Sequence, residues 1–256
     1  MGRGPTIEGK RNISNALKQK SFSLHAKLIA LAAAKGSDPH LNPSLYDALE
    51  KARKDNVPSD NIERAVKKGS GEDKSSEQIS QITYEGYAPG GVAIIIQVLT
   101  DNKNRTASNI RHIFSKFGGN MGEPGSVAWI FPKKGMITFD KSKVKESEIE
   151  ELVFETNVDD MQNTEDKIKL ICSLENLKGV SDFFKSKAIE FEKASIEYIP
   201  NNEVEVTEFD KALKIIKMTE ALDEDEDVED YSLNAIISDE LEKEVYDFIE
   251  KNTFRT

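Results

Sequence analysis

"QITYEGYAPGGVAIIIQVLT", residues 81 to 100, decides how the rest of the chain is read. Two β-favouring runs flank Pro89-Gly90-Gly91. Proline presets one turn dihedral there and glycine supplies a positive one, so the stretch predicts two strands joined by a tight turn. Next comes "NRTASNIRHIFSKFGG", with Ala107, Ile110, Ile113, Phe114 and Phe117 at helical spacing and Asn104 as the expected cap. "SVAWIF" and "GMITFD" read as strands around a turn from Pro132 to Gly135. Helix "SEIEELVFET", strand "KIKLICSL", helix "ENLKGVSDFFKSKA", strand "IEFEKASIEYIP", helix "EFDKALKIIKMTEAL" and strand "YSLNAII" follow, then a last helix, "DELEKEVYDFIEKN". This alternation implies open sheets with helices on one face.

Upstream the grammar differs, because the first seventy residues contain no strand-like alternation. "NISNALKQKSFSLHAKLIALAAAKG" sets Ile13, Leu17, Leu24, Leu28 and Leu31 near one helical stripe that ends at Gly36. "NPSLYDALEKARKDN" has Asn42 as a cap, Pro43 at the first helical position, and Leu45, Ala48, Leu49 and Ala52 inward. "VPSDNIERAVKKG" is a third short helix, opened by Pro58 and closed by Gly69. Residues 69 to 78, "GSGEDKSSEQ", lack an apolar anchor and read as a linker.

Charge separates the same two regions. Residues 1–70 hold thirteen Lys or Arg against seven Asp or Glu, a balance of +6. The other 186 residues hold 22 basic and 39 acidic, a balance of −17 within a total of −11. A basic head on an acidic body is the electrostatic footprint of nucleic-acid contact, although a solvated helical face looks the same. The basic candidates are Lys10, Arg11, Lys18, Lys20, Lys27, Lys51, Arg53, Lys54, Arg64, Lys67 and Lys68. Such contacts are sequence-blind and salt-sensitive. Phe22 and Tyr46 are the head's only aromatics, so there is no ladder for stacking single-stranded bases. A structured duplex or rRNA fits better.

Other chemistry is thin. The glycines at 118, 119, 122 and 125 in "FGGNMGEPGSVAW" match neither GxxxxGK[ST] nor GxGxxG, and a helix precedes the loop where a strand should stand. The loop reads as a corner, and no cofactor is expected. "TDNKNRT", residues 100 to 106, leads from a strand into a helix N-terminus where Arg105 adds a charge, so it is an anion candidate. The plainer reading is that Asn104 and Thr106 cap the helix and Asp101 holds the turn. His25, His40 and His112 form no metal-ligand pattern and read as surface or capping residues. Neither a metal site nor a catalytic residue is expected. Cys172 alternates with Ile168 and Leu170 and reads as a packed thiol; a lone cysteine also suits a reducing compartment. "EALDEDEDVED", residues 220 to 230, has eight acids and no base. It does not fit the calcium loop, and reads as a solvated helix end or as a docking element for a basic partner. Without a run of about eighteen apolar residues, no membrane partner is expected.

Three stretches carry a resemblance: "NVPSDNIERAVKKGSGE", residues 82 to 131 from "ITYEGY" to "VAWIF", and "ALDEDEDVED". On them the chain resembles the YebC/PmpR family of gene-expression regulators, over roughly residues 2 to 237. The opening "GRGPTIEGKRN" is similar to that of one branch. A GHSKW-like start is absent, the basic cluster near residues 16 to 20 is thinned to "ALKQK", and "DYSLN" replaces the usual ending before a helical extension. The resemblance implies class α+β: an N-terminal helical domain followed by two α/β domains, the third inserted in the second. The expected spans are 1–78, 79–132 with 203–240, 133–202, and a C-terminal helix over 241–256. It also implies a non-enzymatic role. Family members act as DNA-binding transcriptional regulators, or as translation factors that help ribosomes through consecutive prolines. The expected partner is therefore nucleic acid, as rRNA or tRNA on the ribosome or as promoter DNA. Since the family pattern starts at Gly2, a cytoplasmic placement is expected.

Overall fold

A computed structural model of the protein describes residues 15–72 and 77–253. Three helices form the head: α1 (Asn15–Ala33), α2 (Pro43–Lys54) and α3 (Ser59–Ser70). Asn42 caps α2 as expected, accepting from the Leu45 N–H at 3.2 Å. Its amide donates to the carbonyls of Ala32 and Gly36, both at 2.8 Å, and so locks the connection from α1. The inward stripe of α1 differs from the expected one. Ile29, Ala32 and Ala33 are buried with Leu45, Leu49 and Ala52 of α2, and Phe22 and Ala26 pack beside them. Leu24 and Leu28 face a cleft toward the body instead. Ile13 and the Leu17 side chain lie outside the described residues. Gly69 does not close α3 but sits within it, where a Cβ would stand 2.2 Å from the Ala30 carbonyl oxygen. Only a glycine lets the two helix backbones approach so closely, and Gly71, at φ 79°, ends the helix.

The body begins with the hairpin that residues 81–100 predict. Strands β1 (Ser80–Ala88) and β2 (Val92–Thr100) pair antiparallel from Ser80↔Thr100 to Ala88↔Val92. Gly90 and Gly91 take φ of 82° and 77° in the turn. Helix α4 (Lys103–Lys116) and the short strand β3 (Asn120–Met121) follow. Asn102, two residues before the expected cap, accepts from the Arg105 N–H at 3.0 Å, which leaves Asn104 exposed in the first turn.

A second antiparallel sheet comes next, in the order β5-β6-β4-β7. Its elements are β4 (Lys133–Asp140), α5 (Glu146–Val153), β5 (Asp160–Asn163), β6 (Lys167–Cys172), α6 (Leu177–Ser186) and β7 (Lys193–Tyr198). Ile137, Phe139, Ile168, Leu170 and Cys172 turn to one face and bury against Ile149, Val180 and Phe184 of α5 and α6. The chain then returns through β8 (Val204–Glu205), α7 (Phe209–Glu224), β9 (Val228–Leu233), β10 (Ala235–Ile236) and α8 (Asp239–Thr253). Strand β9 pairs with β2, which completes the first sheet in the order β3-β1-β2-β9. The second sheet is thus built from residues that lie between strands of the first. Helix α8 is not a free extension: Val245 is fully buried in the core of the first sheet, and Phe248 meets Phe209 edge to face.

Strand β2 is buried on both faces. Val92, Ile94, Ile96 and Val98 meet α4 and α7, while Ala93 and Ile95 meet Val127, Ile130 and Phe131. The segment "SVAWIF" is therefore not the expected strand. It is a short 3-10 turn over Ala128–Ile130, and β4 starts at Lys133 with no turn from Pro132 to Gly135. The reason is Glu85 of β1, a carboxylate only 7% exposed. One oxygen accepts from Gly125 N–H at 2.7 Å, and the other from Val127 at 2.7 Å and Ala128 at 2.8 Å. The glycine-rich loop does cradle an anion, and the anion is the chain's own. Charged acceptors of this kind make stronger bonds than neutral ones, and their removal strands buried donors. Glu85→Ala should therefore cost about 3 kcal/mol in chemical denaturation, and Glu85→Gln less. A loss below about 0.5 kcal/mol would mean that the loop holds itself.

Candidate nucleic-acid interface

The acidic run 220–230 is not a solvated helix end. Asp227 is 4% exposed and sits where head and body meet. Its carboxylate accepts from Lys27 Nζ of α1 at 2.6 Å, from Arg105 of α4 at 3.1 Å, and from the Thr106 hydroxyl at 2.7 Å. Lys27 also donates to the Glu226 carbonyl at 2.8 Å. Two turns earlier on α1, Lys20 donates to the carbonyls of Leu222 and Asp223, at 3.1 and 2.8 Å. These belong to the last turn of α7, where a cation satisfies free carbonyls and the helix dipole together. Lys68 of α3 pairs with Asp101 at 3.2 Å, and Arg105 reaches the same carboxylate at 3.4 Å. The anion candidate at residues 100–106 therefore already holds a carboxylate. Within the same run, Asp223 accepts from the Tyr231 hydroxyl and Asp225 from the Asp227 N–H.

The predicted basic residues divide accordingly. Lys20, Lys27, Lys68 and Arg105 face carboxylates or carbonyls of the chain itself. Arg53 pairs with Glu50 at 2.8 Å, and Arg64 donates to the Asp60 carbonyl and to Asn61. Lys18, Lys51, Lys54 and Lys67 are exposed and have no carboxylate partner among the described residues. Lys10 and Arg11 lie outside those residues.

Lys18, Lys51 and Lys54 border a cleft of about 1600 Å³ between the head and both sheets. Lys133, Lys169 and Lys193 of the second sheet border the same cleft, and sequence reasoning missed them. More than a hundred residues separate them from the head's first lysine. The only local signal was in "KIKLIC", where alternation sends Lys167 and Lys169 away from the face of Ile168 and Leu170. Asp223, Glu229 and Asp230 line the cleft as well, so it is not uniformly positive. Burial pushes the Glu229 carboxyl above its ordinary value, against a hydrogen bond from Gln81 at 3.1 Å.

The remaining candidates are structural. His25 meets Asp55 at 2.7 Å, and His40 and His112 are exposed. Cys172 is buried, and that burial pushes its thiol pKa up, away from reactivity. Among the described residues no group of three or more His, Cys, Asp or Glu converges as a metal site. No described helix is long and apolar enough to cross a membrane.

Asp227 also sets a pH dependence. Burial alone would raise its carboxyl, but bonds from Lys27, Thr106 and Arg105 hold it below the ordinary 3.8. A depressed pKa contributes stability that is complete above the unfolded value and is lost as pH falls through the folded one. Asp227→Ala should therefore cost about 3 kcal/mol near neutral pH, because it strands a partly buried cation. Asp227→Asn should flatten the acid limb of the melting-temperature profile below about pH 4. A variant that melts like the wild type across that range would show the clasp to be dispensable.

Known proteins share this architecture. The family described as TACO1/YebC protein N-terminal domain matches residues 3–72, and that described as TACO1/YebC second and third domain matches residues 79–235. A probable transcriptional regulatory protein of Syntrophus aciditrophicus is 41% identical over 237 residues, 92% of this chain and 94% of that protein. Another, from Mycolicibacterium gilvum, is 39% identical over 237 residues, 92% and 94% of the two chains. The crystal structure of a conserved hypothetical protein from Aquifex aeolicus is similar at TM-score 0.81 and 38% identity, over 91% of this chain and 96% of that one. Head, body and fold all match, and the chain belongs to the TACO1/YebC family, whose relatives here carry the name "probable transcriptional regulatory protein".

Proposed function

We propose that the protein is a non-enzymatic regulator of gene expression that docks on structured RNA of the ribosome, rRNA or tRNA, and assists elongation through difficult stretches such as consecutive prolines. The observation that carries this reading is a group of exposed head cations without carboxylate partners among the described residues, Lys18, Lys51, Lys54 and Lys67 among them. Phosphate oxygens are the natural partners of such residues. Lys51 and Lys54 share one face of α2, and Lys18 borders the same cleft. The head has no aromatic platform for single-stranded bases, which favours a structured backbone.

A second reading, contact with promoter DNA, is favoured by the names of the relatives. The −17 balance beyond the head opposes wrapping of a long duplex. Crosslinking in cells followed by sequencing separates the two: ribosomal or transfer RNA supports the first, and reads clustered at promoters support the second.

Replacing Lys51, Arg53 and Lys54 by glutamate should abolish co-sedimentation with ribosomes while leaving the melting temperature within a few degrees. If five phosphates are met, the logarithm of affinity should fall against the logarithm of salt with a slope of about −4.5. Unchanged sedimentation, or a flat salt response, would sink the docking reading.

A further inference from the structure

Helix α4 has a composition unlike the body that holds it. Across Lys103–Lys116 it carries Lys103, Arg105, Arg111, His112 and Lys116 and no acid, although the chain beyond residue 70 is −17. Thr106, Ile110, Ile113 and Phe114 are buried against the first sheet. At 3.6 residues per turn the opposite face is then fixed. It presents Asn104, Ser108, Arg111, His112 and Ser115, all exposed, with Lys116 at its border. No apolar side chain is exposed on this stripe. Arg111 and Lys116 have no carboxylate partner among the described residues.

This face is not isolated. A crevice of about 430 Å³ lies where α3 of the head approaches the start of α4, lined by Arg64, Lys68 and Arg105 together with Asp101, Glu226 and Asp227. Asp101, held between Lys68 and Arg105, fixes the two helices at that point. Arg64 and Lys67 have no carboxylate partner among the described residues. Arg64 and Lys67 of α3 thus stand exposed on the head side of the junction, and the acid-free face of α4 stands on the body side.

We propose that α3 and α4 form one phosphate-binding track across the head–body junction, which takes the sugar-phosphate backbone of a structured RNA. The proposal rests on the RNA-docking reading of the head and adds a second, body-borne half to the surface. Charge complementarity argues for a polyanion. The missing apolar anchor argues against a protein partner, because protein interfaces concentrate their binding energy in buried aromatic and aliphatic residues. Arginine, lysine, serine and asparagine are the side chains that contact phosphate and sugar oxygens. At about 1.5 Å per residue α4 is about 21 Å long, enough to meet several successive phosphates. Recognition of duplex RNA through its backbone needs no entry into its narrow major groove.

The test uses the full chain and a blunt RNA duplex as probe, with affinity measured over a salt series. Arg111→Glu with Lys116→Glu, both at exposed positions, should weaken binding at least about tenfold and lower the salt slope by about two. Arg111→Gln with Lys116→Gln should fall between this variant and the wild type, and guards against a folding artefact of charge reversal. Unchanged affinity and slope for both α4 variants would overturn the track. So would a loss of affinity with an unchanged slope, since the contact would not be to phosphate. The α2 glutamate variant separates this proposal from the reading beneath it. If α2 reversal abolishes binding and α4 reversal does nothing, the track fails and the docking reading stands. If neither variant changes binding, both fail. An α4 variant that loses an acidic protein but still binds the duplex as tightly as the wild type would also overturn the proposal.

Discussion

The head and the body are held together by a buried carboxylate. Asp227 immediately precedes β9, and its side chain meets Lys27 of α1 and Arg105 and Thr106 of α4. A carboxylate buried without partners would be costly, so the site stands only because Lys27, Arg105 and Thr106 converge on it. One of the three comes from the head and two from α4. Orientation of the head relative to the first sheet therefore follows from satisfying this one group. The Lys20 bonds to the end of α7 and the Lys68–Asp101 pair follow the same logic at the edges of the contact.

Glu85 does the corresponding work inside the body. By gathering three backbone N–H groups it converts a glycine-rich stretch into a fixed corner, and the corner presses Val127, Ile130 and Phe131 onto the outer face of β2. That contact lets "VAIIIQVL", apolar except for the half-buried Gln97, lie in an antiparallel sheet with its apolar residues buried on both faces. The same corner leads directly into β4, so the second sheet takes its origin from it. Two acidic residues that look like ordinary surface charge thus organise both junctions of the molecule.

For function, the consequence is a sorting of the basic residues. Some complete the fold, as Lys20, Lys27, Lys68 and Arg105 do. Lys18, Lys51, Lys54 and Lys67 on the head, with Arg111 and Lys116 on α4, remain exposed without carboxylate partners among the described residues. The second group, unlike the first, is electrostatically available to a polyanion at no cost to the junction. The surface with free positive charge is therefore smaller than a count of lysines and arginines implies, and it extends onto a body whose net charge has the opposite sign.

Periodicity and turn chemistry alone determined much of this protein. Asn42-Pro43 opens α2, Pro89-Gly90-Gly91 closes the hairpin, and the alternation of Ile168, Leu170 and Cys172 makes β6, because each depends on neighbours a few residues away. Family membership was legible too, from the long stretch between Ile82 and Phe131. The roles of the charged groups were not legible. Whether Lys27 faces phosphate or Asp227, two hundred residues away, is decided by which acids folding brings within hydrogen-bond reach. The α1 stripe failed for the same reason: the helix has neighbours on more than one side, so Leu24 and Leu28 line a cleft while Ile29 and Ala33 take the core. "SVAWIF" has the residues of a strand, but a carboxylate on β1 claims its N–H groups first. Local propensity proposes a conformation, and the tertiary structure chooses among conformations by satisfying buried polar groups.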